Sequence, residues 1–275
     1  MRHLEDLLPL SKLDDLAIQS DAYRNARPFP HVVFDDFLQS DIVRSLICEF
    51  PQSTDPAWLR YKAPAEKDKL QSTSELSMPA PIREVINAFN SSTFVRFLER
   101  LTGIEGIVPD PHLYGGGMHQ TLPGGFLKMH VDYNRHNKWK LDRRLNLLLY
   151  LNEPWKEEWG GALELWEGGP AGPEKVIRRV PPIANRVVIF STTEISWHGH
   201  PDPLTCPEGT TRKSIALYYY SNGRPGEEKS AEHNTRFVER PGEEFKNLSV
   251  NDWIRDFVPP IILKTARKFK NATAR

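Results

Sequence analysis

Apolar residues recur along this chain at two different periods, and the change of period divides it. Between residues 40 and 101 they return every three or four positions, as on one face of a helix. Ser40-Asp41 is placed to cap a helix carrying Ile42, Val43, Leu46, Ile47 and Phe50, which stops at Pro51. A second helix fits residues 81–89. A third fits 92–101, with Phe94, Val95, Phe97, Leu98 and Leu101 on its buried side. Between the first two, residues 55–78 have no period. This stretch is polar, holds Trp58, Tyr61, Lys62, Lys67 and Lys69, and reads as a solvated surface loop or as a lid that touches substrate.

Beyond residue 105 the apolar runs shorten and fill with β-branched, leucine and aromatic side chains: 126–131, 145–151, 162–166, 187–190 and 214–220. Glycine and proline punctuate them, with Gly160-Gly161 and Gly168-Gly169 at turns. This spacing predicts an antiparallel sandwich or barrel. Three zones of one structural domain follow: a helical support region (1–105), a β core (106–225) and a C-terminal extension (226–275). The last segment, 261–275, carries Lys264, Arg267, Lys268, Lys270 and Arg275 without an acid. It reads as a solvated, frayed helix or as a basic helix in peripheral contact with an anionic membrane.

Charge and composition narrow the function. The 275 residues hold 36 Lys plus Arg against 36 Asp plus Glu, so no long-range positive field exists to gather phosphates, and a general nucleic-acid binder is disfavoured. No uncharged apolar stretch approaches the roughly 18–20 residues of a bilayer span. Glu5 and Asp6 stand where a secretory signal would carry only bases. Cys48 and Cys206, with no paired spacing, argue against a disulfide framework or a zinc knuckle and suggest a reducing, cytoplasmic setting. Twenty-three prolines, falling between short apolar runs, suggest a loop-rich β protein.

His130-Val131-Asp132 is the first chemically suggestive feature. In a strand, residues two apart point to one face, so imidazole and carboxylate can grip a single cation. The triplet alone is a weak signal, and His200-Pro201-Asp202 and His3-Leu4-Glu5 are decoys of the same form. Around the first, however, Gly124-Gly125 precedes its run and His198 follows the 187–190 run. Arg212-Lys213-Ser214 then opens the last strongly apolar strand. Two imidazoles and one carboxylate on one face of a metal suit a non-haem iron(II) oxygenase. An inward Arg212, with Ser214 on the same side, suits the far carboxylate of a dicarboxylic co-substrate.

The order His130-x-Asp132, then Arg143-Arg144-Leu145-Asn146-Leu147-Leu148-Leu149-Tyr150-Leu151-Asn152, Trp155, Gly160-Gly161-Ala162-Leu163-Glu164-Leu165, Asn185-Arg186-Val187-Val188-Ile189-Phe190, His198 and Arg212-x-Ser214 resembles the prolyl 4-hydroxylase-like branch of the 2-oxoglutarate/Fe(II)-dependent oxygenases. The resemblance covers about residues 106–222. It implies an α+β fold with a double-stranded β-helix (jelly-roll, cupin-like) core buttressed by the N-terminal helices. It also implies Fe(II) held by His130, Asp132 and His198, with 2-oxoglutarate and O2 as co-substrates. Arg212, helped by Ser214 and Tyr150, would take the distal carboxylate, with Asn146 and Leu148 beside it. Many relatives place a tyrosine where this chain has Gln120 and Thr121, with His119 adjacent, so the co-substrate contact there stays open among them. The insertion 201–211 makes His200 a rival to His198 as second imidazole. His198 is preferred because Pro201 is expected to bend the chain away after His200.

The resemblance implies a dioxygenase that hydroxylates an unactivated C–H bond. Related halogenases carry a small residue where this chain has Asp132, so hydroxylation is expected over halogenation. Candidate substrate-facing residues are Tyr133, Asn134, Arg135, His136 and Lys138, the 61–69 stretch, and Arg143 and Arg144, unless these charges form a solvated rim. They favour a polar small molecule or sugar-type substrate. A protein side chain, as in prolyl hydroxylation, is the alternative, and a non-catalytic jelly-roll binding module is the reading of a different class.

Overall fold

The computed structural model describes residues 2–72 and 74–243. Three short helices, α1 (Leu4–Leu7), α2 (Leu10–Ala17) and α3 (Ser20–Arg24), lead to β1 (His31–Phe34) and α4 (Ser40–Glu49). A hairpin of β2 (Leu59–Lys62) and β3 (Glu66–Ser72) follows, then α5 (Ala80–Phe89) and α6 (Ser92–Thr102). The remaining strands are β4 (Val108–Pro109), β5 (Gly117–Val131), β6 (Asp142–Tyr150), β7 (Leu163–Gly169), β8 (Gly172–Val180), β9 (Val187–Ser191), β10 (Trp197–His200), β11 (Arg212–Ser221) and β12 (Arg236–Phe237). No helix among the described residues is long and apolar enough to cross a membrane. The basic stretch 261–275, with its expected membrane contact, lies outside the described residues.

Antiparallel pairing runs in the order β1-β9-β6-β11-β5-β10-β7-β8. The long strand β5 changes partner midway: Gly117 to Thr121 pair with β11, whereas Leu127 and His130 pair with β10. That switch curls the sheet into the double-stranded β-helix and gives it an inside. Residue alternation then sorts the side chains. On β6, Leu145, Leu147 and Leu149 face the helices, in one cluster with Ile42, Leu46, Phe89, Phe94 and Leu98. Asn146 and Leu148 face inward to line a chamber. β11 repeats the division, with Ile215, Leu217 and Tyr219 towards the helices and Arg212, Ser214 and Tyr218 towards the chamber. The helices therefore cover one face of the sheet and leave the other for chemistry.

Helix α6 shows how local sequence sets its bounds. Ser91 Oγ accepts from Phe94 N at 3.3 Å, and the helix ends where Gly103 adopts a left-handed φ of 73°. At α4 the expected cap is displaced: Ser40 is the first helical residue, Gln39 stands before it, and no side chain caps the end.

The zone read as mainly helical also contains β1 and the β2–β3 hairpin. The hairpin escaped the periodicity because its inward residues, Tyr61, Glu66, Lys69 and Gln71, are themselves polar and line the chamber. The strand expected at 126–131 begins instead at Gly117 and carries Gly124-Gly125 within it; Gly124 N donates to Leu204 O and Leu204 N to Gly125 O. Strands β8 and β10 were not expected, the first being largely exposed and polar and the second only four residues long.

Phe94 is fully buried among Phe37, Phe89 and Phe97. Phe94→Ala is expected to lower unfolding free energy by about 3–5 kcal/mol, measured by urea titration. A loss below about 1 kcal/mol would mean that this aromatic layer does not anchor the helices to the sheet.

Candidate metal and co-substrate site

His130 and Asp132 project from the end of β5, and His198 enters from β10 directly opposite, with His198 and His130 as register partners. Gly199 makes this approach possible: a Cβ there would lie 2.8 Å from the carbonyl oxygens of both Leu127 and Lys128. The two imidazole rings lie 4.3 Å apart. His130 Nε2 is 3.8 Å from Asp132 Oδ1, and His198 Nε2 is 3.5 Å from Asp132 Oδ2. One ligand atom from each of the three lies within 4.8 Å of the others, a spacing that a single small cation spans.

The surroundings prepare all three for a metal. His130 Nδ1 lies 2.8 Å from Lys128 O and His198 Nδ1 lies 2.8 Å from Ser196 O. A carbonyl only accepts, so each Nδ1 carries the proton and each Nε2 lone pair is free. Burial pushes both imidazoles down, His198 to about 3 with His130 adding to the effect, so both are neutral ligands at pH 7. Burial alone would raise the Asp132 carboxyl, but Arg143, then His198 and His130, hold it well below the usual carboxylate range. Arg143 Nη2 donates to Asp132 Oδ2 at 2.9 Å, and Asn146 Nδ2 donates to the same oxygen at 2.7 Å. Asn146 Oδ1 in turn accepts from Arg143 Nη2 and Nε. Tyr218 and Tyr133 flank the guanidinium, their ring centroids 3.5 and 4.5 Å from its carbon. The donor set, two neutral nitrogens and one fixed carboxylate, fits Fe(II).

Deeper in the same chamber, Arg212, Ser214, Thr121, Leu148 and His119 are lining residues. Arg212 Nε donates to Gly161 O at 2.7 Å and Nη2 to Tyr150 Oη at 3.1 Å. Gly161, with φ +72°, lets the guanidinium pass, since a Cβ there would meet Arg212 Cδ at 3.1 Å and Leu204 Cδ2 at 2.6 Å. Three of the five guanidinium N–H groups are left for a ligand. His119 donates its Nε2 proton to Gly115 O at 3.1 Å, and burial, then Lys69, push it down to about 3. Gln120 points the other way, accepting from Thr211 Oγ1 at 2.6 Å.

Asn146 does line the chamber with Leu148, and its amide is also engaged by Asp132 and Arg143. Several expectations need correction. Arg143 lines the chamber but is not a free substrate contact: it is buried, with its guanidinium spent on Asp132 and Asn146. Arg144 is also buried, donating to Ser221 Oγ and Glu228 Oε2. Asn134 holds the C-terminal segment through Ser230 Oγ and Ala231 O, His136 stacks on Trp139, and Arg135 and Lys138 are exposed. Of residues 133–138, Tyr133 alone lines the chamber. Pro201 does not turn His200 aside: β10 runs through it, and its buried ring lines the chamber.

Two further walls come from the 61–69 stretch, one of the candidate substrate-facing segments, and from the C-terminal segment, which the sequence did not mark. The β2–β3 hairpin supplies Tyr61, Glu66 and Lys69, with Lys69 Nζ 3.1 Å from Glu66 Oε1. The C-terminal segment supplies Thr235 and Phe237; β12 pairs with β5 at Val131 and His130, and the Phe237 ring lies 5.1 Å from that of His130. Ion pairs Lys128–Glu243, Arg240–Asp202 and Arg236–Glu194 hold this segment down.

Residues 116–220 match the family described as the 2OG-Fe(II) oxygenase superfamily. A mouse protein, prolyl 3-hydroxylase OGFOD1, is 30% identical over 79 residues, which are 28% of this chain and 14% of the mouse protein's length. A Pseudomonas putida prolyl-4-hydroxylase structure superposes with TM-score 0.52 and 20% identity, covering 76% of this chain and 100% of that one. A Trichoplax adhaerens prolyl hydroxylase, solved with a hypoxia inducible factor peptide fragment, gives 0.55 and 18%, covering 78% and 92%. At these identities the structural likeness speaks for the fold.

Asn146→Ala removes one donor to Asp132 and one acceptor for Arg143. Co(II) affinity, followed by its visible absorption, is expected to fall about 10- to 100-fold with the fold retained; an unchanged affinity would mean that the clamp does not tune the metal site.

Proposed function

We propose that this chain, whose residues 116–220 belong to the 2OG-Fe(II) oxygenase superfamily, hydroxylates an unactivated C–H bond of a polar small molecule or sugar-type substrate. The overall conversion is R–H + 2-oxoglutarate + O2 → R–OH + succinate + CO2. The observation that carries the reading is the convergence of His130, Asp132 and His198 in one chamber with a buried, partly uncommitted Arg212. A buried guanidinium facing a cavity calls for an anion, and the metal ligands stand beside it. A jelly-roll module that only binds would have no use for both.

When bound, the iron and 2-oxoglutarate supply the oxidative decarboxylation that couples O2 to C–H cleavage. The chain's own residues hold that chemistry in place. The Nε2 atoms of His130 and His198 and the carboxylate of Asp132 would hold the iron. Arg143 and Asn146 keep the carboxylate ionised and oriented. Arg212 orients the distal carboxylate of the co-substrate, with the Tyr150 hydroxyl, Ser214 and Thr121 as further donors. Leu148, Leu163 and Phe190 shield the inner chamber from water.

Support for a polar substrate comes from the lining. The chamber is a cavity of about 200 Å3 that opens to solvent, room for a small polar group to reach the metal ligands. Glu66, Lys69, Tyr61 and Tyr133 present charged and hydroxyl groups in it. A protein side chain is the second reading, favoured by the prolyl hydroxylases among the similar proteins.

Under anaerobic conditions Fe(II) plus 2-oxoglutarate is expected to give a weak visible charge-transfer band, and a colourless solution would favour the binding module. His130→Ala and Asp132→Ala should each abolish both the band and succinate release; full activity in either removes that residue from the ligand set. For Arg212→Ala, half-saturating 2-oxoglutarate should rise about a hundredfold, the ~2–3 kcal/mol of a charge-assisted hydrogen-bonded pair. No rise would remove Arg212 from the co-substrate site. A succinate-release screen with pooled sugars, amino acids, nucleotide sugars and proline-containing peptides separates the two substrate classes: turnover with peptides alone overturns the small-molecule reading.

A further inference from the structure

His200 is an inward, buried histidine that neither the metal triad nor the fold employs. It follows His198 by two residues on β10, so both rings point to the same face of the strand, and both line the chamber. His200 is 4% exposed. It pairs in register with Leu127 of β5, one step along the chamber from the His198–His130 pair. Its Nδ1 is buried and has no hydrogen-bond partner. Buried polar nitrogens almost always have one, so an orphan calls for an explanation.

The groups around it sharpen the question. Arg212 and Lys69 both act electrostatically on this ring, and each disfavours a positive charge there. A structural histidine beside two cations would accept a hydrogen bond from one of them. Neither does so: Arg212 donates to Gly161 O and Tyr150 Oη, and Lys69 to Glu66 Oε1, and the remaining N–H groups of both are left for a ligand. Thr121, the register partner of both Arg212 and Lys69, completes the same end of the chamber. A buried imidazole nitrogen without a partner among the described residues, in a chamber shared with Arg212 and Lys69, is placed to meet an anion.

We propose that His200 is a binding residue for the distal carboxylate of the 2-oxo diacid, donating to one oxygen while Arg212 engages the other. The inference rests on the proposed 2-oxoglutarate dependence and extends it to a residue the metal chemistry does not need. A carboxylate offers about four lone-pair sites. Arg212, with two N–H groups already spent, fills only part of them, and His200 supplies a directional donor from a different strand. Selection of a diacid over a 2-oxo monoacid then depends on two strands, β11 and β10.

The test is binding rather than turnover. Anaerobic titration of the Fe(II)-loaded protein, read by the visible charge-transfer band and by calorimetry, compares 2-oxoglutarate with 2-oxopentanoate, which keeps the chelating end and lacks the distal carboxylate. For His200→Leu, the Kd for 2-oxoglutarate is expected to rise at least tenfold while that for 2-oxopentanoate stays within about twofold. His200→Gln, which restores a donor, should recover part of the loss, and the Fe(II) affinity of both variants should match the parent. An unchanged 2-oxoglutarate Kd in His200→Leu overturns the inference, as does an equal weakening of both ligands, which would mark a packing role. If the parent protein binds neither ligand, the 2-oxoglutarate reading itself fails; if it binds both and the variants do not discriminate, only the role of His200 fails.

Discussion

A carboxylate buried inside a β-roll must be compensated, and here one ion pair does so for the whole site. Desolvating Asp132 without partners would protonate it. Arg143 and Asn146 prevent this from β6, while the two imidazoles approach from β5 and β10. Arg143 is buried too, so it depends on Asp132 in return and on the two tyrosine rings that sandwich it. Removing either charge strands the other in an apolar wall, a far larger cost than the pair's net worth. The position of β6 relative to the end of β5 is thereby fixed, and with it the place where a cation can sit.

That constraint reaches outward through residue alternation. Strands β6 and β11, which put Asn146, Leu148, Arg212 and Ser214 into the chamber, present leucine, isoleucine and tyrosine on their other face to the helices. Helix packing thus sets the depth and tilt of β6 and β11, and the inward residues inherit it. Gly199 and Gly161 act at the two points where backbone or guanidinium must come closer than any side chain allows. The rigidity of the site is the rigidity of a two-faced sheet.

The fold and the meeting of His130 and Asp132 with His198 were legible in sequence for the same reason: both leave marks at short range. Runs such as Leu145–Leu149 announce a strand buried on both faces, and His130-x-Asp132 encodes two ligands in one alternation. Features that depend on tertiary company were not legible. Arg143 looks like any surface arginine until Asp132 is placed beside it. Lys69 and Glu66 look like a solvated loop because a polar chamber wall and a polar surface have the same composition. His200 was set aside on the strength of Pro201, yet a proline constrains the residue before it towards extended backbone, which here continues the strand.

The hairpin and the C-terminal strap carry a wider consequence. Tyr61, Glu66, Lys69, Thr235 and Phe237 all lie outside residues 116–220, the span that matches the superfamily. The candidate metal ligands and Arg212 are thus encoded in one continuous block, whereas other lining residues come from the chain's two flanks. Such an arrangement is modular in inheritance: the flanks can drift, and so reshape the chamber's lining, without disturbing the His130–Asp132–His198 cluster between them.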